Sequence, residues 1–197
     1  MPKEYSCVKK TKQTFENSLA ELAEGRPLNK ITVKMLCEHA QLSRNAFYFH
    51  YKDINDLVED MEDSIVNEAV GNFDTYTEIG FPKNVHAIIA SLVDLIESRP
   101  QVCKMLFENS DSFTTRLNEA FCDFNYKYFS DYHGDEKRIV YNFFYMFISN
   151  GFYGLVKYWL DNMDKMNKNE LIGLCYIFVK RVLMLDKPDI KAKDIST

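Results

Sequence analysis

Three side chains near the N-terminus have the spacing of one helical face. Arg44, Asn45 and Tyr48 occupy positions i, i+1 and i+4, which share one side of an α-helix. A guanidinium and an amide are the groups that form bidentate hydrogen bonds with guanine and adenine edges in a DNA major groove. A phenol hydroxyl can bond to a phosphate. The spacing predicts a DNA-reading face, with an ordinary solvated helix surface as the alternative.

Four further residues flank this face and are predicted to contact the DNA backbone. Thr32 and Ser43 are predicted to be the N-cap residues of two short helices, and the N–H groups at a helix N-terminus suit phosphate. His50 and Lys52 follow at the far end, where they would meet the same duplex. His50 can alternatively bridge helices, and Tyr48 can alternatively be a half-buried core ring. The predicted DNA-binding residues are Thr32, Ser43, Arg44, Asn45, Tyr48, His50 and Lys52.

Two short helices must position these residues. One is predicted over about residues 33–39 and, after the three-residue break QLS, another over about 44–49. Two short helices joined by a tight turn form a helix-turn-helix. A third helix, over about 11–24, has apolar residues at helical spacing and is expected to bury the shared apolar face. The rings of the segment, Phe47 first, are predicted to anchor the module while its polar groups face outward.

The charge of the chain differs between its two ends. Residues 1–52 contain nine Lys and Arg against five Asp and Glu, a net charge of +4, whereas residues 53–197 contain 15 against 24, a net charge of −9. An acidic body repels a polyanion, so nucleic acid must be contacted by the basic end. Paired carboxylates on one face, a metal-ligand cluster and a glycine-rich phosphate loop are not visible in the sequence. We therefore predict that the protein is not an enzyme and needs no cofactor or metal.

Cysteine spacing and hydropathy indicate the compartment. The five cysteines are odd in number and widely spaced, without a C-x-x-C, which favours reduced core thiols over a metal or redox site. The N-terminus lacks the apolar core of a signal peptide. The 22-residue run IVYNFFYMFISNGFYGLVKYWL is long enough to span a bilayer. Its interior Asn142, Ser149 and Asn150 instead favour a helix buried in protein or at a subunit interface. A cytoplasmic location is predicted.

Helical patterns continue to the end of the chain. They are predicted near residues 54–73, 83–98, 100–109, 113–132, 136–162 and 168–185. The predicted fold is all-α, with about nine helices: a three-helix N-terminal helix-turn-helix domain and a larger helical C-terminal domain. The predicted domain boundaries are 1–52 for DNA binding, 53–187 for effector binding and dimerisation, and 188–197 for a polar tail.

The run ITVKMLCEHAQLSRNAFYFHYKDINDL, residues 31–57, resembles the signature of the TetR family of transcriptional regulators. The matching residues are Thr32, Val33, Leu36, Ala40, Leu42, Ser43, Phe47, Tyr48, His50 and Leu57. This resemblance covers about residues 9–60, and FISNGFYGLVKYWLDN is similar to the GxxGxxxxWL of the penultimate helix in some members. Gln41 stands where the family has glycine, which costs stability if that position has a positive φ. Ala46 replaces a common threonine, which predicts one fewer phosphate contact.

The resemblance implies a homodimeric DNA-binding regulator. Apolar residues of the last helix share one stripe, and Gly151, Gly154 and Gly173 would allow helices to approach closely. Two helices from each subunit would then form a four-helix interface. Such a dimer would place its two recognition helices on two DNA half-sites related by two-fold symmetry.

The resemblance also implies a ligand pocket in the helical body. Asn142, Tyr145 and Asn150 are its candidate polar residues. The expected function is repression at a palindromic DNA operator, relieved by a small-molecule effector. A TetR-like coregulator or activator controlled by a protein partner is the alternative.

Overall fold

A computed structural model describes the backbone over residues 2–76, 85–133 and 138–184, and the side chains over 8–72, 85–122, 142–143 and 145–182. These residues form α-helices and no strands, which confirms the all-α prediction. The nine helices of this part of the chain are α1 Pro2–Ala23, α2 Val33–Ala40, α3 Arg44–His50, α4 Ile54–Tyr76, α5 Val85–Ser98, α6 Pro100–Asn109, α7 Asp111–His133, α8 Arg138–Leu160 and α9 Lys168–Met184. A short 3₁₀ helix, Leu28–Lys30, lies between α1 and α2.

The main departure from the predicted helices is the start of α1. The apolar stripe begins with Phe15, so the pattern indicated a helix from about residue 11, but α1 begins at Pro2. Proline is favourable at the first helical position because its missing N–H would have no intrahelical acceptor there. No further proline or glycine interrupts the residues up to Thr11, so the helix can continue through them.

The chain divides into two compact units. Unit 1 comprises Met1–Gly71 and Leu95–Phe121, and unit 2 comprises Asn72–Asp94 and Cys122–Thr197. Within unit 1, α1 packs against α2, α3 and α6, and Asp60 of α4 bonds to Lys12 of α1 and to Tyr51 at the end of α3. The domain boundaries predicted from the sequence concern function rather than compactness and stay predictions. The polar tail predicted at 188–197 lies outside the described residues.

The core of the helix-turn-helix forms around one phenylalanine. Phe47 is completely buried, as are Phe15 and Leu19 of α1 and Leu36 of α2. The rings of Phe15 and Phe47 meet edge to face with their centroids 5.4 Å apart, a geometry that stabilises aromatic pairs. The predicted role of α1 in covering the two short helices is therefore confirmed.

A carboxylate is buried where α4 meets the start of α7 in unit 1. Glu62 is 1% exposed and accepts hydrogen bonds from Arg116 at 2.9 Å, from Ser112 at 2.9 Å and from Ser110. Arg116 also pairs with Asp63 at the surface. The hydrogen bond to Glu62 is the main cause of a raised Arg116 pKa, which keeps the guanidinium charged.

Unit 2 has a core of its own that involves α5, α8 and α9. Val93, Val156 and Leu171 are among its buried residues, and the indole N–H of the buried Trp159 donates to the Met166 carbonyl at 2.8 Å. A surface ion pair of 2.8 Å joins Lys168 at the start of α9 to Asp94 of α5. These contacts fix the orientation of α8, which determines the side chains that it leaves exposed.

Gln41 occupies the turn between α2 and α3 in the left-handed conformation, with φ 54° and ψ 36°. This conformation costs a residue with a Cβ about 1–2 kcal/mol, whereas glycine adopts it freely. We expect Gln41→Gly to raise the free energy of unfolding by about 0.5–1 kcal/mol, because the extra flexibility of glycine in the unfolded chain offsets part of the gain. Chemical denaturation measures the difference.

The matched control for this substitution is Gln13→Gly. Gln13 is an exposed residue inside α1, where glycine should instead lower the free energy of unfolding by about 1 kcal/mol. A Gln41→Gly protein as destabilised as the Gln13→Gly protein would contradict the assigned turn conformation.

Candidate nucleic-acid interface

Helix α3 separates its residues onto a buried side and an exposed side. Phe47 faces the core, while Arg44 and Asn45 are exposed and Tyr48 keeps 58% of its surface in solvent. At 100° per residue, these three exposed residues fall within an arc of about 100°. The structure therefore brings Arg44, Asn45 and Tyr48 together on the surface, and Tyr48 is not the half-buried core ring of the alternative interpretation.

The two cap residues act as predicted within the fold. The Thr32 hydroxyl oxygen accepts the Met35 N–H at 3.2 Å, and the Ser43 hydroxyl oxygen accepts the Ala46 N–H at 3.1 Å. Both residues are exposed. Capping uses an oxygen lone pair, so each hydroxyl hydrogen can still be donated to a phosphate. Contact with DNA at these two positions stays a prediction.

The two basic residues at the far end of α3 differ in environment. Lys52 is exposed, and its backbone N–H donates to Asp56 at 2.8 Å, which fixes the start of α4. His50 is half-buried, and its ring meets Phe49 and Tyr51 at centroid distances of 4.9 and 6.0 Å. Burial, followed by the positive charge of Lys12, lowers the His50 pKa. The ring contacts of His50 are thus with its sequence neighbours, and a contact of His50 with DNA stays a prediction.

A polar network holds the end of α3 against α1 and α4. Asp60 of α4 accepts a hydrogen bond of 2.9 Å from the buried Tyr51 and forms an ion pair of 2.8 Å with Lys12 of α1. The Lys12 ammonium also lies 5.3 Å from the centre of the Tyr51 ring. Burial and the Asp60 hydrogen bond raise the Tyr51 pKa, so the phenol keeps its proton and remains the donor. The network fixes the direction in which α3 presents its exposed face.

Phe49 is the residue of this surface that sequence reasoning missed. The rings of the segment were expected to anchor the module, but Phe49 is 79% exposed. It lies four residues after Asn45, which places it on the same side of α3. The i, i+4 spacing of Asn45 and Phe49 could have predicted this position. It was not used, because phenylalanine was assumed to belong to the core.

The C-terminal part of the chain gives independent information on the family. A family model described as a transcriptional regulator C-terminal region, of the TetR type, matches residues 83–181, half of the chain. The chain belongs to the TetR family of transcriptional regulators. No curated protein matches its sequence. The family match and the helix-turn-helix signature lie in different parts of the chain, so they support this membership separately.

The residues predicted to bind an effector in this TetR family regulator lie on different sides of α8. Tyr145 belongs to the inward side of unit 2, and its buried hydroxyl interacts with those of Tyr153 and Ser149. Burial is the main cause of the raised Tyr145 pKa. Asn142 and Asn150 are exposed, and the Asn150 amide donates to the Met146 carbonyl at 2.7 Å. The structure does not bring the three residues together, and a ligand at each of them stays a prediction.

Cys37, Cys103, Cys122 and Cys175 are reduced cysteines, and three of them are buried, as expected of core residues. Over the described residues, His, Cys, Asp and Glu form no group that could hold a metal ion. In the same part of the TetR family chain, no helix has the length and apolar character needed to cross a membrane.

Proposed function

We propose that this transcriptional regulator represses genes by binding a palindromic operator as a homodimer, with α3 as the recognition helix. Binding of a small molecule to the regulator then releases it from the operator. One observation carries the DNA-binding part of this proposal. Arg44, Asn45 and Tyr48 form an exposed polar face on the helix whose other side buries Phe47 in the core. A helix anchored on one side and polar on the other is suited to enter a major groove.

DNA binding is tested by selecting fragments of the source genome that the full chain retains and then measuring affinity by fluorescence anisotropy. We expect a specific duplex with two-fold symmetry, and an affinity that falls steeply as the salt concentration rises. A random duplex of the same length serves as the control for sequence-independent binding. A chain that binds no duplex at low ionic strength would refute the proposal.

The homodimer is supported by an exposed apolar surface in unit 2, which we call the α8–α9 face. It comprises Phe143, Met146, Phe147, Tyr158, Ile177 and Phe178, whose exposed fractions lie between 41% and 72%. Gly151 and Gly154 lie on the same side of α8, and a Cβ added at either would meet no atom within 4 Å. Large exposed apolar side chains grouped on two neighbouring helices favour an interaction site. In a second copy of the chain, the same rings would have room to pack over the two glycines.

Phe147→Glu is expected to convert the dimer into a monomer. Phe147 is 71% exposed in the single chain, and a carboxylate buried there between two subunits would lose its hydration without a partner. The dissociation constant of the dimer should rise by at least about 100-fold, equivalent to roughly 3 kcal/mol. Light scattering should then report 23.1 kDa rather than about twice that mass.

The control for the dimer prediction is Met163→Glu. Met163 is also an exposed apolar residue, but it lies in the turn between α8 and α9. Its substitution should leave the dimer mass unchanged. Equal masses for the Phe147→Glu and wild-type proteins would exclude the α8–α9 face as the dimer interface.

Relief by a small molecule is supported by the hydroxyl cluster of Tyr145, Ser149 and Tyr153. Buried hydroxyls in an otherwise apolar helical body are the polar groups that orient a ligand in such a site. A ligand releases the operator only if it binds the DNA-free state more tightly than the DNA-bound state. Thermal shift against a metabolite panel should find a stabilising compound, and this compound should weaken operator binding. A compound that stabilises the protein without changing its affinity for the operator would argue against relief of repression by that compound.

A further inference from the structure

Phe49 is the most exposed of the large apolar side chains in the part of the chain that the structure describes. It keeps 79% of its surface in solvent, compared with complete burial of Phe47 two residues earlier. Burial in the fold therefore explains little of its presence. The residue belongs to α3, the proposed recognition helix, so its exposed ring is available to a partner outside the chain.

The position of Phe49 places it beside the polar reading face. Successive residues advance by 100° around an α-helix, so Phe49 lies about 40° from Asn45 and continues the arc formed by Arg44 and Tyr48. Its ring meets the half-buried His50 edge to face, with centroids 4.9 Å apart and planes at 86°. This contact supports the ring from the side of the protein, which limits the rotamers available to it before any partner binds.

The chemistry of the major groove restricts what this ring can contact. A phenyl ring cannot form strong hydrogen bonds with phosphate oxygens or with the amino, carbonyl and N7 groups of the base edges. The C5-methyl group of thymine is the apolar group that base pairs present in this groove. We propose that Phe49 reads a thymine through that methyl group. The inference rests on the proposed function, because it requires α3 to be the recognition helix.

The neighbouring amide indicates where this thymine lies. Asn45 and Phe49 are separated along the helix axis by about 6 Å, which corresponds to roughly two base-pair steps of 3.4 Å. An asparagine amide pairs with the N6 and N7 groups of adenine. The thymine read by Phe49 is therefore within about two base pairs of the adenine read by Asn45, on either strand.

The test uses the selected operator and measures affinity by fluorescence anisotropy for the full chain and for Phe49→Ala. Each thymine of one half-site is replaced in turn by deoxyuridine, which removes the methyl group and leaves every hydrogen-bonding group in place. One such replacement should weaken wild-type binding about three- to fivefold, the value of one buried methyl group. Phe49→Ala should weaken binding to the natural operator by at least that factor and should not respond to this deoxyuridine.

Two further measurements distinguish the outcomes. Phe49→Ala should keep the wild-type melting temperature and the wild-type affinity for a random duplex, because the ring is exposed and contacts no phosphate. A wild-type protein that binds its operator but tolerates every deoxyuridine would overturn this inference alone. The inference would also be wrong if Phe49→Ala weakened binding, relative to wild type, by the same factor on the natural and on the deoxyuridine duplexes. The ring and the methyl group would then act independently. If the wild-type protein bound no duplex at all, both this inference and the proposed function would be wrong.

Discussion

Arg116→Ala is expected to lower the free energy of unfolding by about 3 kcal/mol, the lower end of the cost of breaking a buried ion pair. Glu62 is 1% exposed and depends on Arg116 for its compensating charge, so the substitution leaves a buried carboxylate with serine donors only. Arg116 itself is 34% exposed, which reduces the loss compared with a fully buried pair. A decrease of roughly 6–12 °C in melting temperature should accompany the change.

The matched control is Arg99→Ala, which removes a second arginine–carboxylate pair within unit 1. Arg99 pairs with Glu68 at 2.7 Å, but Glu68 is 54% exposed and regains water when its partner is lost. This control should cost about 1 kcal/mol or less. An apolar replacement of both partners, Glu62→Met with Arg116→Met, should recover much of the loss, because no buried charge remains. Equal costs for the Arg116→Ala and Arg99→Ala proteins would show that the Glu62 carboxylate is not buried in solution.

Helix type and boundaries could be predicted from the sequence because the apolar stripes and caps are local signals. Thr32 and Ser43 cap α2 and α3 as expected, and Pro100 begins α6 where its ring favours a helix start. The first turns of α1 escaped prediction because their apolar residues are few and lie among lysines, so the stripe is clear only from Phe15 onward. The Glu62 network also escaped prediction, because its partners are about 50 residues apart and only packing brings them together.

The reading face was predictable for a related reason. Arg44, Asn45 and Tyr48 are close in sequence, so helical spacing alone places them together. The candidate effector residues are not constrained in this way, since α8 is apolar over most of its circumference and sequence spacing does not show which side faces inward. The structure places Tyr145 inward and Asn142 outward, a distinction that depends on how α8 packs in unit 2. Phe49 was missed because composition assigns phenylalanine to the core.

Arg44→Ala is expected to weaken operator binding by about 5- to 150-fold, corresponding to 1–3 kcal/mol, and to relax the preference for one base pair. Arg44 is exposed at the first position of α3, where its guanidinium can reach a guanine edge with two parallel hydrogen bonds. Affinity for a set of single-base operator variants, measured at fixed salt, gives both effects. Lys165→Ala, which removes one exposed positive charge in the turn after α8, should leave both quantities unchanged.

Arg44→Lys separates base reading from simple charge attraction. Lysine keeps the positive charge but lacks the planar guanidinium fork, so a bidentate contact should lose most of its base preference while the salt dependence persists. Lys52→Ala should show the opposite pattern, with weaker binding to every sequence and a salt slope smaller by about one. If Arg44→Lys retained the wild-type base preference, Arg44 would act through charge alone. The assignment of base reading to this side of α3 would then depend on Asn45 and its neighbours.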